Sequence, residues 1–83
     1  MITIDEVVQL IRREMRGHLA ADRLIDENTE LADLGMSSLQ VAEVVFTLEE
    51  QHETEFDPAR AADAVTLGDL VRLGNDALQS QSA

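Results

Sequence analysis

The chain has no cysteine, no lysine, no tryptophan and no tyrosine, only one proline, and no apolar run near the length of a membrane span. Without cysteine there are no disulfides and no thiolate metal sites, and nothing suggests a secreted, cross-linked scaffold. Phe46 and Phe56 are the two phenylalanines, too few to build a stacking platform for nucleic-acid bases. The first residues, Met1-Ile2-Thr3-Ile4-Asp5-Glu6, show no basic region followed by an apolar stretch, so no signal peptide reads from them. A cytoplasmic domain without membrane attachment is expected.

Positive charge is scarce throughout. Seventeen acidic residues face six arginines, a formal net charge of -11. Between residues 24 and 59 there is no basic side chain other than His52. Ten acids fall there: Asp26, Glu27, Glu30, Asp33, Glu43, Glu49, Glu50, Glu53, Glu55 and Asp57. Such a field repels phosphate backbones and attracts basic protein surfaces, which argues against nucleic-acid binding and for protein partners. With 83 residues there is material for one domain with one core, covering residues 1–83, and no second lobe to close a deep cleft. A binding or carrying role suits that size better than an elaborate active site.

What the chain does contain is helical periodicity. Thr3-Ile4-Asp5-Glu6 has the form of a capping box, in which Thr and Glu satisfy each other's backbone donors. Val7, Val8, Leu10, Ile11 and Met15 follow at helical spacing, predicting a helix over residues 4–16 with Gly17 near its end. Residues 20–36 read as a long connection, with Leu24, Ile25, Leu31 and Leu34 as apolar anchors; a loop this long usually has a job. A second helix is expected over residues 38–52, with Ser37 as N-cap and Gln40 at N3. Asp57-Pro58 interrupts, a short turn over residues 59–63 follows, and Thr66-Leu67-Gly68-Asp69 starts a last helix carrying Leu67, Leu70, Val71 and Leu78. Residues 79–83 are expected to fray. The fold class is all-α, a small bundle of three main helices and a short one.

At ~100° per residue the second helix has two apolar sides. Val41, Val44, Val45, Leu48 and His52 fall on one, the expected core stripe. Leu39, Ala42 and Phe46 fall on the other, margined by Glu43, Glu49, Glu50 and Glu53. An apolar strip with an acidic rim suits a basic, apolar groove on a partner. His52 reads as a boundary histidine with a satisfied hydrogen bond. No Asp-x-Asp-x-Asp-Gly calcium loop is present, and no specific metal site is expected. Gly35-Met36-Ser37-Ser38-Leu39 lacks the second glycine of a hydrolase elbow, so a directly catalytic serine is not supported.

The stretch Leu31-Ala32-Asp33-Leu34-Gly35-Met36-Ser37-Ser38-Leu39, with Thr29 upstream, carries the pattern Leu-x-x-Leu-Gly-x-x-Ser-Leu. It closely resembles the prosthetic-group site of acyl and peptidyl carrier proteins, and the likeness extends over nearly the whole chain. The resemblance implies a small helical bundle of the acyl-carrier type, discrete and stand-alone, with a long loop between its first two helices. It implies that Ser38 carries 4'-phosphopantetheine donated by coenzyme A, the added arm supplying the thiol that the chain lacks. It further implies partner docking through Leu39, Ala42, Glu43, Phe46 and Glu50.

The partners so implied are a phosphopantetheinyl transferase, acyl- or aminoacyl-loading enzymes, and downstream synthases with basic docking surfaces. The chain would be a non-catalytic monomer. Two positions depart from the family: Ser37 stands where an acidic residue commonly precedes the modified serine, and His52 where an apolar aromatic is more usual. All-arginine basic composition with abundant Ala and Val points to a GC-rich bacterial genome, and with His52 to polyketide or antibiotic-type specialised biosynthesis. An aminoacyl or peptidyl carrier is the alternative. A small acidic interaction adaptor without a prosthetic group is the reading from another class.

Overall fold

The computed structural model describes residues 1–20 and 22–82, the side chains of Gln81 and Ser82 excepted. Four α-helices follow one another: α1 (Ile4–Glu14), α2 (Ser38–His52), α3 (Pro58–Asp63) and α4 (Leu67–Ser82). A single 3-10 turn, Ala32–Leu34, interrupts the connection between α1 and α2. The all-α expectation holds among the described residues.

Thr3 caps α1 by accepting the Glu6 backbone N–H at 3.2 Å. The reciprocal half of the expected capping box is not made. The Glu6 carboxylate instead meets His52 Nε2, at 2.7 Å, tying the first turn of α1 to the last residue of α2. An interhelical bond between two half-buried groups replaces a local one. Helix α1 ends at Glu14, two residues earlier than its periodicity suggests, because the chain turns through Gly17 at φ +87° with the His18 N–H on the Met15 carbonyl. Met15 still packs into the core.

Two of the four expected loop anchors behave as full anchors. Leu31 and Leu34 are buried and Ile25 is half-buried, but Leu24 is 90% exposed. The segment beside it is held at the surface by the Arg12 guanidinium, which donates to the Arg23 carbonyl at 2.6 Å. The later part of the loop is strapped to the start of α4. Leu31 N–H donates to the Val65 carbonyl, Leu67 N–H to Thr29, and Gly68 N–H to Glu27, at 2.8, 3.2 and 2.9 Å.

Asp57 caps α3 through the Ala59 N–H, and Pro58 occupies its first turn, so the expected turn is a short helix beginning one residue earlier. Thr66 and Asp69 form a capping box ahead of α4. Thr66 Oγ1 accepts the Asp69 N–H, while Asp69 Oδ2 accepts the N–H groups of Thr66 and Val65. Helix α4 extends through Ser82, so residues 79–82 of the tail are in helical conformation; Ala83 lies outside the described residues. The core joins Val7, Leu10 and Ile11 of α1, Val44, Val45 and Leu48 of α2, and Leu67, Leu70 and Leu73 of α4. Ile2 is locked against α4 by a double hydrogen bond between its backbone and the Asn75 amide. Gly74 is the point of closest approach: a Cβ there would collide with Ile2 and the Phe56 ring.

Candidate functional site

The site is assembled by the turn that delivers α2. After the 3-10 turn, Gly35 adopts φ +77°, ψ 18°, a left-handed conformation that a side chain would strain. Its N–H bonds to Ala32 at 3.0 Å, and Met36 N–H reaches the Leu31 carbonyl. Ser37 then caps α2. Its Oγ accepts the Gln40 N–H at 3.2 Å, and its own N–H donates to Gln40 Oε1 at 2.9 Å. The expected reciprocal box is complete. With the Gln40 amide satisfied, those of Ser38 and Leu39 remain without an intrahelical acceptor, at the positive end of a 15-residue helix.

Ser38 is exposed at this first helical position. Because Ser37 caps with a hydroxyl, no cap carboxylate stands beside it. A groove of about 450 Å³ opens at Ser38 and runs between α2, α3 and the loop end. Its lining includes Met36, Val41, Ala42, Val45, Phe46, Phe56 and the alanines Ala61, Ala62 and Ala64. Small side chains on α3 leave the space open. Glu49 is the acid in this lining, and it accepts the Phe56 N–H at 2.8 Å.

The surface beyond Ser38 has the two-sided character expected of α2. Val44, Val45 and Leu48 are buried, Val41 and His52 half-buried. Leu39 is 71% and Phe46 61% exposed, Ala42 is half-buried, and Glu43 and Glu50 are exposed. Thus Leu39, Ala42, Glu43, Phe46 and Glu50 lie outside the core, on the helix that begins at Ser38. His52 has its hydrogen bond, to Glu6. Among the described residues no His, Cys, Asp and Glu group is arranged to hold a metal ion.

Sequence reasoning missed the groove. Periodicity placed Val41 and Val45 in the core stripe but could not show that α3 packs loosely enough over them to leave a channel. The run of alanines in residues 59–64 was the available signal.

Residues 5–73 match the family described as "Phosphopantetheine attachment site". The chain belongs to that family. The family's prosthetic group is 4'-phosphopantetheine, and the exposed serine at the mouth of a groove fits such a group. Among relatives, the acyl carrier protein of Campylobacter fetus is 32% identical over 71 residues, covering 86% of this chain and 90% of that protein. A chloroplastic acyl carrier protein of Brassica napus is 27% identical over 79 residues, covering 95% of this chain. The chain spans 58% of that relative's length. In fold, this member is similar to the solution structure of the acetyl actinorhodin acyl carrier protein from Streptomyces coelicolor. The TM-score is 0.80 at 23% identity, covering 99% of this chain and 95% of that one. No helix among the described residues is long and apolar enough to cross a membrane.

Proposed function

We infer that this family member is a non-catalytic carrier that holds acyl or aminoacyl intermediates on a phosphopantetheine arm attached to Ser38 Oγ. The observation that carries the reading is the placement of Ser38, exposed at the first turn of α2 and lining the apolar groove. When bound, the arm supplies the thiol that this cysteine-free chain lacks, and with it thioester chemistry. The chain's own residues do the rest. The Ser38 and Leu39 amides and the α2 dipole favour the phosphodiester's negative charge. Met36, Val41, Val45 and Phe56 offer an apolar wall that shields a cargo from water.

Leu39, Ala42, Glu43, Phe46 and Glu50 form the proposed docking face. The exposed apolar groups bury against a partner while the acids select basic rims, first on the phosphopantetheinyl transferase and then on loading and synthase enzymes. A cytoplasmic, monomeric, single carrier domain over residues 1–83 completes the reading. The pathway we favour is bacterial polyketide or related specialised-metabolite synthesis, a reading supported by the arginine-only basic composition and by His52. A malonyl-loaded chain offered in parallel to a discrete polyketide condensing system and to a fatty-acid one tests this. Turnover by the first alone supports the polyketide reading, and turnover by the second alone removes it. Loading only by an aminoacyl-activating enzyme would move the chain to the peptidyl class.

A further inference from the structure

Four of the six arginines crowd into residues 12–23, as Arg12, Arg13, Arg16 and Arg23. The two placed elsewhere are both neutralised, Arg60 by Asp76 at 2.9 Å and Arg72 by Asp69 at 3.4 Å. None of the four forms an ion pair among the described residues, although the chain has seventeen acids to offer. Arg13, Arg16 and Arg23 are exposed. Beside them runs a groove of about 520 Å³ between α1 and α2, lined by Gln9, Arg12, Arg13, Arg16, Gln51 and Glu6 in part. The acid in that lining, Glu6, is engaged by His52.

Helix stability accounts for only half of this cluster. Arg12 and Arg13 in the last turn suit the dipole of α1, but Arg16 follows the helix end at Glu14 and gains nothing from that position as part of the helix. Arg23 lies off the helix altogether. We propose that this α1 face is a second docking surface, opposite in sign to the Ser38 face, that receives a carboxylate-rich segment of a partner protein.

The arrangement favours that occupant over other anions. Arg12 gives part of its guanidinium to the Arg23 carbonyl, and Arg23 lies outside the lining of the groove that Arg12, Arg13 and Arg16 share, so the four cations do not front one pocket, as a small anion would need. A nucleic acid extends far beyond the patch and would face the remaining acids of a chain with net charge -11. A local acidic patch on a protein meets these arginines without that repulsion, and arginine is enriched at protein interfaces and pairs with carboxylates in a fixed fork geometry. The proposal does not depend on Ser38 being the modified residue.

The test is an NMR titration of the full chain with an end-capped hexaglutamate peptide, following backbone, arginine Nε–H and Gln9 and Gln51 amide signals. Saturable shifts confined to residues 9–16, 23 and 51 are expected. They should weaken about fivefold or more from low to physiological salt. R13Q/R16Q should abolish them and R13K/R16K should keep most of them, with unchanged circular dichroism in both. Absence of shifts, or shifts retained in R13Q/R16Q, overturns the proposal. Equal or tighter binding of inorganic pyrophosphate, or of a short single-stranded DNA, at the same signals would assign the face to small anions or to polyanions and overturn it likewise. Concentration-dependent shifts of these residues without peptide would assign it to a second copy of the chain, with the same consequence.

Discussion

Phe46 lies on the proposed docking face and Phe56 in the core, and their truncation should separate binding from stability. Phe46 is 61% exposed, so 39% of it is covered, whereas Phe56 is 5% exposed and packs against Gly74. A fully buried phenylalanine covers about 200 Å², so Phe46 hides roughly 80 Å². At about 25 cal/mol/Å² that is at most roughly 2 kcal/mol. Alanine keeps the β-carbon and is the better helix former, which lowers the expected cost of Phe46→Ala to about 1 kcal/mol. Phe56→Ala opens a cavity beneath α4 and should cost about 3–5 kcal/mol. In a domain of this size, Tm should fall by about 4–8 °C for the first and by about 15 °C or more for the second. Thermal unfolding followed by circular dichroism reads both. Partner assays on folded Phe46→Ala should show slower arm loading or cargo transfer. A loss of about 3 kcal/mol or more in Phe46→Ala would place that ring in the core and refute the two-sided assignment of α2.

Gly74→Ala should destabilise by about 1–3 kcal/mol, because its Cβ would strike Ile2 and the Phe56 ring; urea unfolding measures it, and a neutral result would show that contact to be loose. The N–H groups of Val65 and Thr66 hold the Asp69 carboxyl below the usual carboxylate range. Its contribution is therefore complete above about pH 4 and fades as pH falls through the lower folded value. Asp69→Ala should cost about 1 kcal/mol near neutrality, as caps do, and the gap from the parent chain should close in acid; a gap independent of pH would mean that the charge plays no part. Moderate salt should raise the unfolding midpoint, since folding crowds ten carboxylates of residues 24–59. A midpoint that is flat or falls with sodium chloride would show that ion pairs dominate instead.

Most of the scaffold was legible because local chemistry decided it. Ser37 and Gln40 bracket the start of α2, Pro58 the start of α3, and Thr66 and Asp69 the start of α4; each is a pattern of neighbours that acts through backbone donors. The place of Ser38 as the first helical residue after a glycine turn was legible for the same reason, while its role rests on the resemblance carried by Gly35 and Leu39. What stayed hidden depends on residues far apart in sequence. Glu6 looks like half of a local capping box, yet its carboxylate is taken by His52, 46 positions away. Leu24 has the hydropathy of an anchor, but it stays exposed, beside a segment held at the surface by Arg12 on the Arg23 carbonyl. The groove is a gap between elements, and periodicity describes only the faces of single helices. The helical conformation of residues 79–82 was not legible because that polar last turn gives no apolar period to read.

Attachment at Ser38 is the central claim, and intact-mass measurement after incubation with coenzyme A and a broad-specificity phosphopantetheinyl transferase tests it most directly. The parent chain and Ser37→Ala should each gain one phosphopantetheinyl group, while Ser38→Ala gains none and keeps its helix content. Gain by Ser38→Ala with loss in Ser37→Ala would move the site by one residue, and no gain by the parent chain would contradict the carrier reading itself.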